Sequence, residues 1–175
     1  MTHTTNNPKI HQGRNVKRFR EMLGIKQDAL AYELGDDWNQ QKISLFAYDH
    51  PQLETLLACW QQAPVNSLCI VPQGALANQL AALYPQLQQH AELTLDQLTL
   101  KVVPFMPQDD YDKLLWACDI NLVRGEDSVI RAHWAAKPFI WQIYRQAEQA
   151  HLDKLNAFMQ RYCANMPAAA AQALT

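Results

Sequence analysis

A parallel α/β sheet of about five strands, covered by helices on both faces and preceded by a short all-helical segment, is the fold class that three features of the sequence predict. β-rich runs alternate with helix-length amphipathic runs from about residue 43 to residue 163. The links between them are short, which suits right-handed strand-helix-strand crossovers. One strand-like run, Asp119-Ile120-Asn121-Leu122-Val123, also opens directly into Arg124-Gly125-Glu126-Asp127-Ser128 and a helix-like run to Ala136. A strand-to-helix corner of that kind is where open α/β sheets bind ligands.

Taken in order, the chain divides into a front segment (1–44), a main domain (45–166) and an Ala-rich tail (167–175) with no visible chemistry. In the front segment, Gly13 to Leu23 places Val16, Phe19 and Leu23 at helical spacing, with Arg14, Lys17, Arg18 and Arg20 on or beside the other face, and Gly24 stops it. Gln27 to Leu34 forms a second short helix ended by Gly35, and Asn39 to Leu45 a third. Ile43 and Leu45 admit two readings, because the run Ile43 to Tyr48 followed by Asp49-His50-Pro51 also has the β-branched and aromatic content of a strand and its exit turn.

From there the predicted order is helix Gln52–Gln62, strand Ser67–Val71, helix Gly74–Gln89, strand Thr99–Val103, helix Asp109–Ala117, strand Asp119–Val123, helix Asp127–Ala136, strand Phe139–Ile143 and helix Ala147–Cys163. Trp116 falls where its helix pattern expects a buried residue. The whole is a Rossmann-like arrangement, with a sheet buried on both sides.

At 175 residues the chain holds one good core, or one domain with a small appendage. Its 49% hydrophobic and 18% charged content is that of a globular protein, and no apolar run approaches the roughly 20 residues that span a bilayer. The polar start, Met1 to Pro8, lacks a secretion signal's apolar core, so a cytoplasmic protein without membrane partners is expected. Cys59, Cys69, Cys118 and Cys163 show no CxxC spacing and read as reduced thiols, and the six histidines form no metal-binding pattern, so neither metal nor cofactor is expected. The net charge of -2 is uneven: residues 1–44 carry seven Lys/Arg against five Asp/Glu, the rest eight against twelve. The basic end is the front, though the excess is small for nucleic acid.

The chemistry of the Arg124–Ser128 corner supports two readings. A helix N-terminus offers unpaired N–H groups and partial positive charge, Arg124 a forked cation, Gly125 close backbone approach and Ser128 a hydroxyl, which together suit a phosphate. An ordinary capped helix start, with Ser or Asp capping and Glu in the first turn, fits the same residues. Glu126 and Asp127 disfavour a bare phosphate cradle, since carboxylates repel a dianion unless they point at hydroxyls, a base edge or Arg124.

The front segment, short helix, tight turn, short helix, resembles phage-repressor-like (Xre-type) helix-turn-helix domains from Gly13 to Gly35. That resemblance implies a DNA-contacting third helix with Asn39, Gln40, Gln41 and Lys42 facing the groove, and hence a DNA-binding regulator with a sugar-nucleotide-sensing C-terminal domain. A helical cap on the following domain is the other reading, because the helices that usually complete that core are missing after Ser44.

The run Pro104 through Gln108, Tyr111, Trp116, Asp119 and Asn121 to Ser128, then Arg131, Trp134, Pro138, Phe139, Trp141 and Tyr144, resembles a second family. It is similar to the C-terminal half of elongation factor P arginine rhamnosyltransferase, a bacterial enzyme of the glycosyltransferase B fold, and the likeness runs from about Ile43 to Tyr162. The resemblance implies dTDP-β-L-rhamnose as donor substrate and elongation factor P as acceptor protein. It implies donor contacts at Phe46, Tyr48, Gln108, Arg124, Gly125, Asp127 and Ser128, with Gln108 on the base and Glu126 as the residue needed for catalysis. Phe46 reads equally well as core packing, and Gln108 as a turn residue. Tyr144 is implied to line the cleft, although Arg145 stands where a proline is expected. The family draws its proposed base, an aspartate, from the N-terminal half, so weak catalysis by this chain alone is expected.

Overall fold

The computed structural model describes residues 40–174. The helices expected over 13–23 and 27–34, the residue Asn39 and nearly all of the 1–44 segment lie outside them. Six strands form one sheet in the order β3-β4-β2-β1-β5-β6. They are β1 (Gln41–Leu45), β2 (Ser67–Pro72), β3 (Glu92–Leu95), β4 (Leu98–Val103), β5 (Ile120–Arg124) and β6 (Phe139–Gln142). All neighbours pair in parallel except β3 and β4.

Alternating side chains on the central strands feed two separate cores, as a pleated strand requires. On one face Ile43, Leu45, Cys69, Val71, Leu98 and Leu100 pack with α1 (Leu53–Gln61) and α2 (Ala75–Leu83) through Leu53, Leu57, Leu76 and Leu80. On the other, Leu68, Ile70 and Val123 pack with α3 (Gln108–Ala117) and α4 (Gly125–Ala135) through Leu114, Leu115, Val129 and Ala132. Asn121 is the polar exception inside β5: it is fully buried, and its amide donates to the Leu115 carbonyl at 3.0 Å, tying β5 to α3. The chain finishes with α5 (Ala150–Cys163), which sets Phe158 against the second core, and α6 (Ala168–Leu174) in the tail. No helix among the described residues is long and apolar enough to cross a membrane.

The structure departs from the sequence reading in several places. Gln41 and Lys42 begin β1 rather than sitting on a third, DNA-contacting helix. Gln41 pairs with Ser67 and Lys42 with Leu68, and the Lys42 N–H donates to Asp119 Oδ2 at 2.9 Å, so this backbone is committed to the sheet. Gln40 lies immediately before the strand, likewise not in a helix. The helix expected over Gly74–Gln89 breaks at Tyr84, which takes φ -128° and ψ 86° because the following Pro85 excludes the helical region, and a 3-10 turn over Pro85–Gln88 follows. An unexpected sixth strand, β3, turns back on β4 through Asp96, whose φ is +50°. Trp116 is only half-buried, and it is Leu114 and Leu115 that the helix buries.

Candidate functional site

After β1 the chain runs outward through β2 and β4 on one side, then returns to place β5 on the other side of β1. The carboxyl ends of β1 and β5 therefore border the topological switch point, where parallel sheets open a crevice between diverging loops. The sequence places Phe46 and Tyr48 just beyond β1, Arg124 at the end of β5, and the Arg124–Ser128 corner across from them.

Arg124 is held between aromatic faces. Its guanidinium carbon lies 4.5 Å from the Phe46 ring centroid and 4.9 Å from that of Tyr48. Such stacking fixes the plane of the fork without using its donors, which bond no other described residue. The aromatic wall is itself braced by β6: the Tyr48 N–H donates to Gln142 Oε1 at 2.6 Å, and Tyr48 meets Tyr144 edge-on at 5.7 Å. Trp141 Nε1 donates to the Gly125 carbonyl at 2.8 Å, fixing the corner from below.

Gly125 has φ +68°, a conformation costly for any residue with a Cβ. A Cβ there would meet the Tyr48 hydroxyl at 3.8 Å, an ordinary contact, so space is not the constraint. Gly125→Ala is expected to destabilise the domain by roughly 1–2 kcal/mol through backbone strain alone, measured by urea unfolding. The next helix carries no side-chain cap at its N-terminus, so Asp127 and Ser128 are not spent on ordinary capping.

Asp127 and Ser128 instead line a cavity of about 190 Å³ with Phe46, Gln108, Phe105, Met106, Tyr111, Pro72 and Arg131. Arg124 borders the adjoining recess, on the other side of Phe46 and Pro72, beside Gly74 at the head of α2. Glu126 points elsewhere: its Oε1 accepts from Lys154 Nζ of α5 at 3.0 Å, on the exposed rim. The two neighbouring carboxylates thus divide, one facing the cavity and one neutralised outside it. Because the Glu126–Lys154 pair is largely exposed, Lys154→Ala is expected to change stability by less than about 1 kcal/mol in the same urea assay.

Of the residues expected from the sequence, Phe46, Gln108, Asp127 and Ser128 share one cavity, while Tyr48, Arg124 and Gly125 form the adjoining wall. Glu126 stands apart at the rim. Sequence reasoning missed Phe105, 75% exposed at the cavity mouth, together with Met106, Tyr111 and Arg131. Arg131 donates to Asp112 at 2.6 Å, and that hydrogen bond holds its guanidinium charged more firmly than usual. Burial pushes the Cys118 thiol up to about 12 and that of Cys69 higher still, so neither is a nucleophile near neutral pH. Among the described residues no group of three His, Cys, Asp or Glu side chains is placed to hold a metal ion.

Residues 11–175 match the family of the Elongation-Factor P (EF-P) rhamnosyltransferase EarP. The chain belongs to the EarP family. It is 46% identical over 165 residues to a protein-arginine rhamnosyltransferase of Pseudomonas aeruginosa, covering 90% of this chain and 43% of that protein. With the protein-arginine rhamnosyltransferase of Shewanella oneidensis it shares 43% identity over 159 residues, 87% of this chain and 38% of the other. The chain therefore spans about two fifths of the length of these curated relatives. A solved structure concerned with EarP-mediated arginine glycosylation of translation elongation factor EF-P superposes with a TM-score of 0.73 at 36% identity, over 93% of this chain and 53% of that one. Because the EarP match begins at residue 11, residues 11–44 of the front segment lie within it, and the comparisons do not support the Xre-type reading of residues 10–44.

Proposed function

We propose that the cleft is the donor-binding part of a protein-arginine rhamnosyltransferase, taking dTDP-β-L-rhamnose and serving transfer of the sugar to an arginine of elongation factor P. Membership of the EarP family carries the reading, and the Arg124 corner at the switch point supplies the chemistry. In this proposal the nucleotide-sugar-binding unit is residues 45–166, taken back to Gln41 because β1 begins there, as the C-terminal half of a glycosyltransferase B fold. A cytoplasmic setting goes with the acceptor.

The roles follow from position. Arg124 and the N–H groups opening α4 face the diphosphate, the charge that grows as the leaving group departs. Gly125 lets the phosphates approach the backbone. Ser128 donates to a phosphoryl oxygen, while Asp127 accepts from sugar hydroxyls. Gln108 at the head of α3 hydrogen-bonds the base, and Phe46, Tyr48 and the exposed Phe105 ring supply apolar surface to the nucleoside.

In an inverting transfer the acceptor guanidine nitrogen forms a bond to C1 of the rhamnose as the C1–O bond to dTDP breaks, and the nitrogen passes its proton to a carboxylate base, the aspartate that the family draws from its N-terminal half. A guanidinium is a poor nucleophile, since its lone pair is delocalised, so a carboxylate must orient it. Glu126 at the rim is assigned that part, and the ammonium of Lys154 occupies the position beside it that a guanidinium would take.

Melting curves with dTDP, UDP and ADP read the donor site by itself, and the mass of elongation factor P after incubation with chain and donor reads transfer. The proposal expects a rise in melting temperature that is largest for dTDP. Equal shifts for all three nucleotides, or none, would count against it.

A further inference from the structure

Tyr111, in the first turn of α3, is 8% exposed and meets Phe46 edge-on at 5.4 Å. Its hydroxyl oxygen is buried and makes no hydrogen bond of good geometry among the described residues, although the Ser128 hydroxyl of the same cavity is near enough to act on it. Leaving a buried hydroxyl poorly paired is costly, so the free protein does not fully meet the demand at this point. Nothing in apolar packing requires the oxygen: a phenylalanine would fill the same space against Phe46. Burial pushes the phenol up to about 12, partly offset by hydrogen bonding with the Ser128 hydroxyl and by the Arg124 charge, so Tyr111 keeps its proton throughout the neutral range. The oxygen is too enclosed for a ligand to touch directly. Ser128 is the polar group through which a ligand in the cavity can reach it.

We propose that Tyr111 is a positioning residue for the nucleotide, donating to Ser128 Oγ when the cleft is filled and so committing the single Ser128 proton to a phosphoryl oxygen at the head of α4. The inference rests on the donor-site reading above. The direction of the chain follows from donor counting, because a serine hydroxyl has one proton and the phosphate has none to give. If Tyr111 did not donate, Ser128 could turn its proton elsewhere and face the phosphate with a lone pair. Two hydroxyls in series also polarise one another, which strengthens the outer bond to the anion.

The test is calorimetric titration of dTDP into the full chain and its Tyr111→Phe, Ser128→Ala and Tyr111→Phe/Ser128→Ala variants, with melting of each unliganded protein. The expected result is that Tyr111→Phe weakens dTDP binding about 2- to 12-fold, the range of one neutral hydrogen bond, while unliganded melting stays level or rises. In the Ser128→Ala background the Tyr111→Phe change should have no further effect, because its route to the ligand is gone. Unchanged affinity in the single variant overturns the inference, as does an equal loss in both backgrounds. If the wild-type chain binds no dTDP, the donor-site reading itself falls and takes this inference with it; if wild type binds and only Tyr111→Phe is silent, the donor site stands.

Discussion

Arg124→Ala is expected to weaken binding of dTDP-rhamnose at least about 100-fold while the domain stays folded. The binding loss follows from charge: each hydrogen bond to a charged group contributes roughly 1.5–3 kcal/mol, and a forked guanidinium makes two to a diphosphate. The small structural cost follows from where the side chain sits. Arg124 packs on the open faces of Phe46 and Tyr48, contacts worth about 0.5–1 kcal/mol apiece at a partly exposed site, and it makes no ion pair with another described residue. Phe46 keeps its edge contact with Tyr111, and Tyr48 keeps its backbone tie to Gln142. Calorimetry beside thermal melting separates the two effects, and a variant that melts normally yet binds as wild type would remove Arg124 from the site.

Leu115→Ala should show the opposite profile, destabilising the domain by about 2–5 kcal/mol. Leu115 is fully buried on the face of α3 that packs against β2 and β5, and its carbonyl also receives the Asn121 amide. Truncation leaves a void that the surrounding Leu68, Ile70 and Val123 cannot fill without moving strands. The neighbouring Trp116, expected from its pattern to be the buried anchor, is only partly buried against the second core, so Trp116→Ala should cost less than Leu115→Ala. Chemical denaturation of both variants checks the ranking, and a larger loss for Trp116 would contradict it.

The sheet was legible because its central strands carry apolar residues on both faces, and the two cores separate cleanly into Cys69 and Val71 on one side and Leu68 and Ile70 on the other. What was missed depends on short or distant features. β3 is four residues long, and its turn at Asp96 lacks the glycine that marks most tight hairpins. The start of β1 hid behind two polar residues, Gln41 and Lys42, which the sheet recruits through Ser67, Leu68 and an aspartate 77 residues away. The break at Tyr84 was visible in Pro85 but was overridden by the helical pattern on either side.

The candidate site divides in the same way. Arg124, Gly125, Asp127 and Ser128 are adjacent in sequence, and a strand-to-helix corner brings them together locally, so their position could be read directly. Arg131 with Asp112 and Glu126 with Lys154 meet across 19 and 28 residues, and only the fold makes them partners. Phe105 sits between prolines in a loop, where a large apolar residue reads as buried, yet the structure exposes it. The two carboxylates beside a phosphate site are separated only by the fold, which turns Glu126 out to Lys154 while Asp127 faces the cavity.

Calorimetric titration of dTDP-rhamnose into the chain, with dTDP and UDP as competitors, bears most directly on the donor-site claim. The expected result is binding that prefers thymidine over uridine, is lost in Arg124→Ala, and in Asp127→Ala falls more for the sugar nucleotide than for dTDP. A well-folded chain that takes up none of these nucleotides, or that binds them equally well without Arg124, would contradict it.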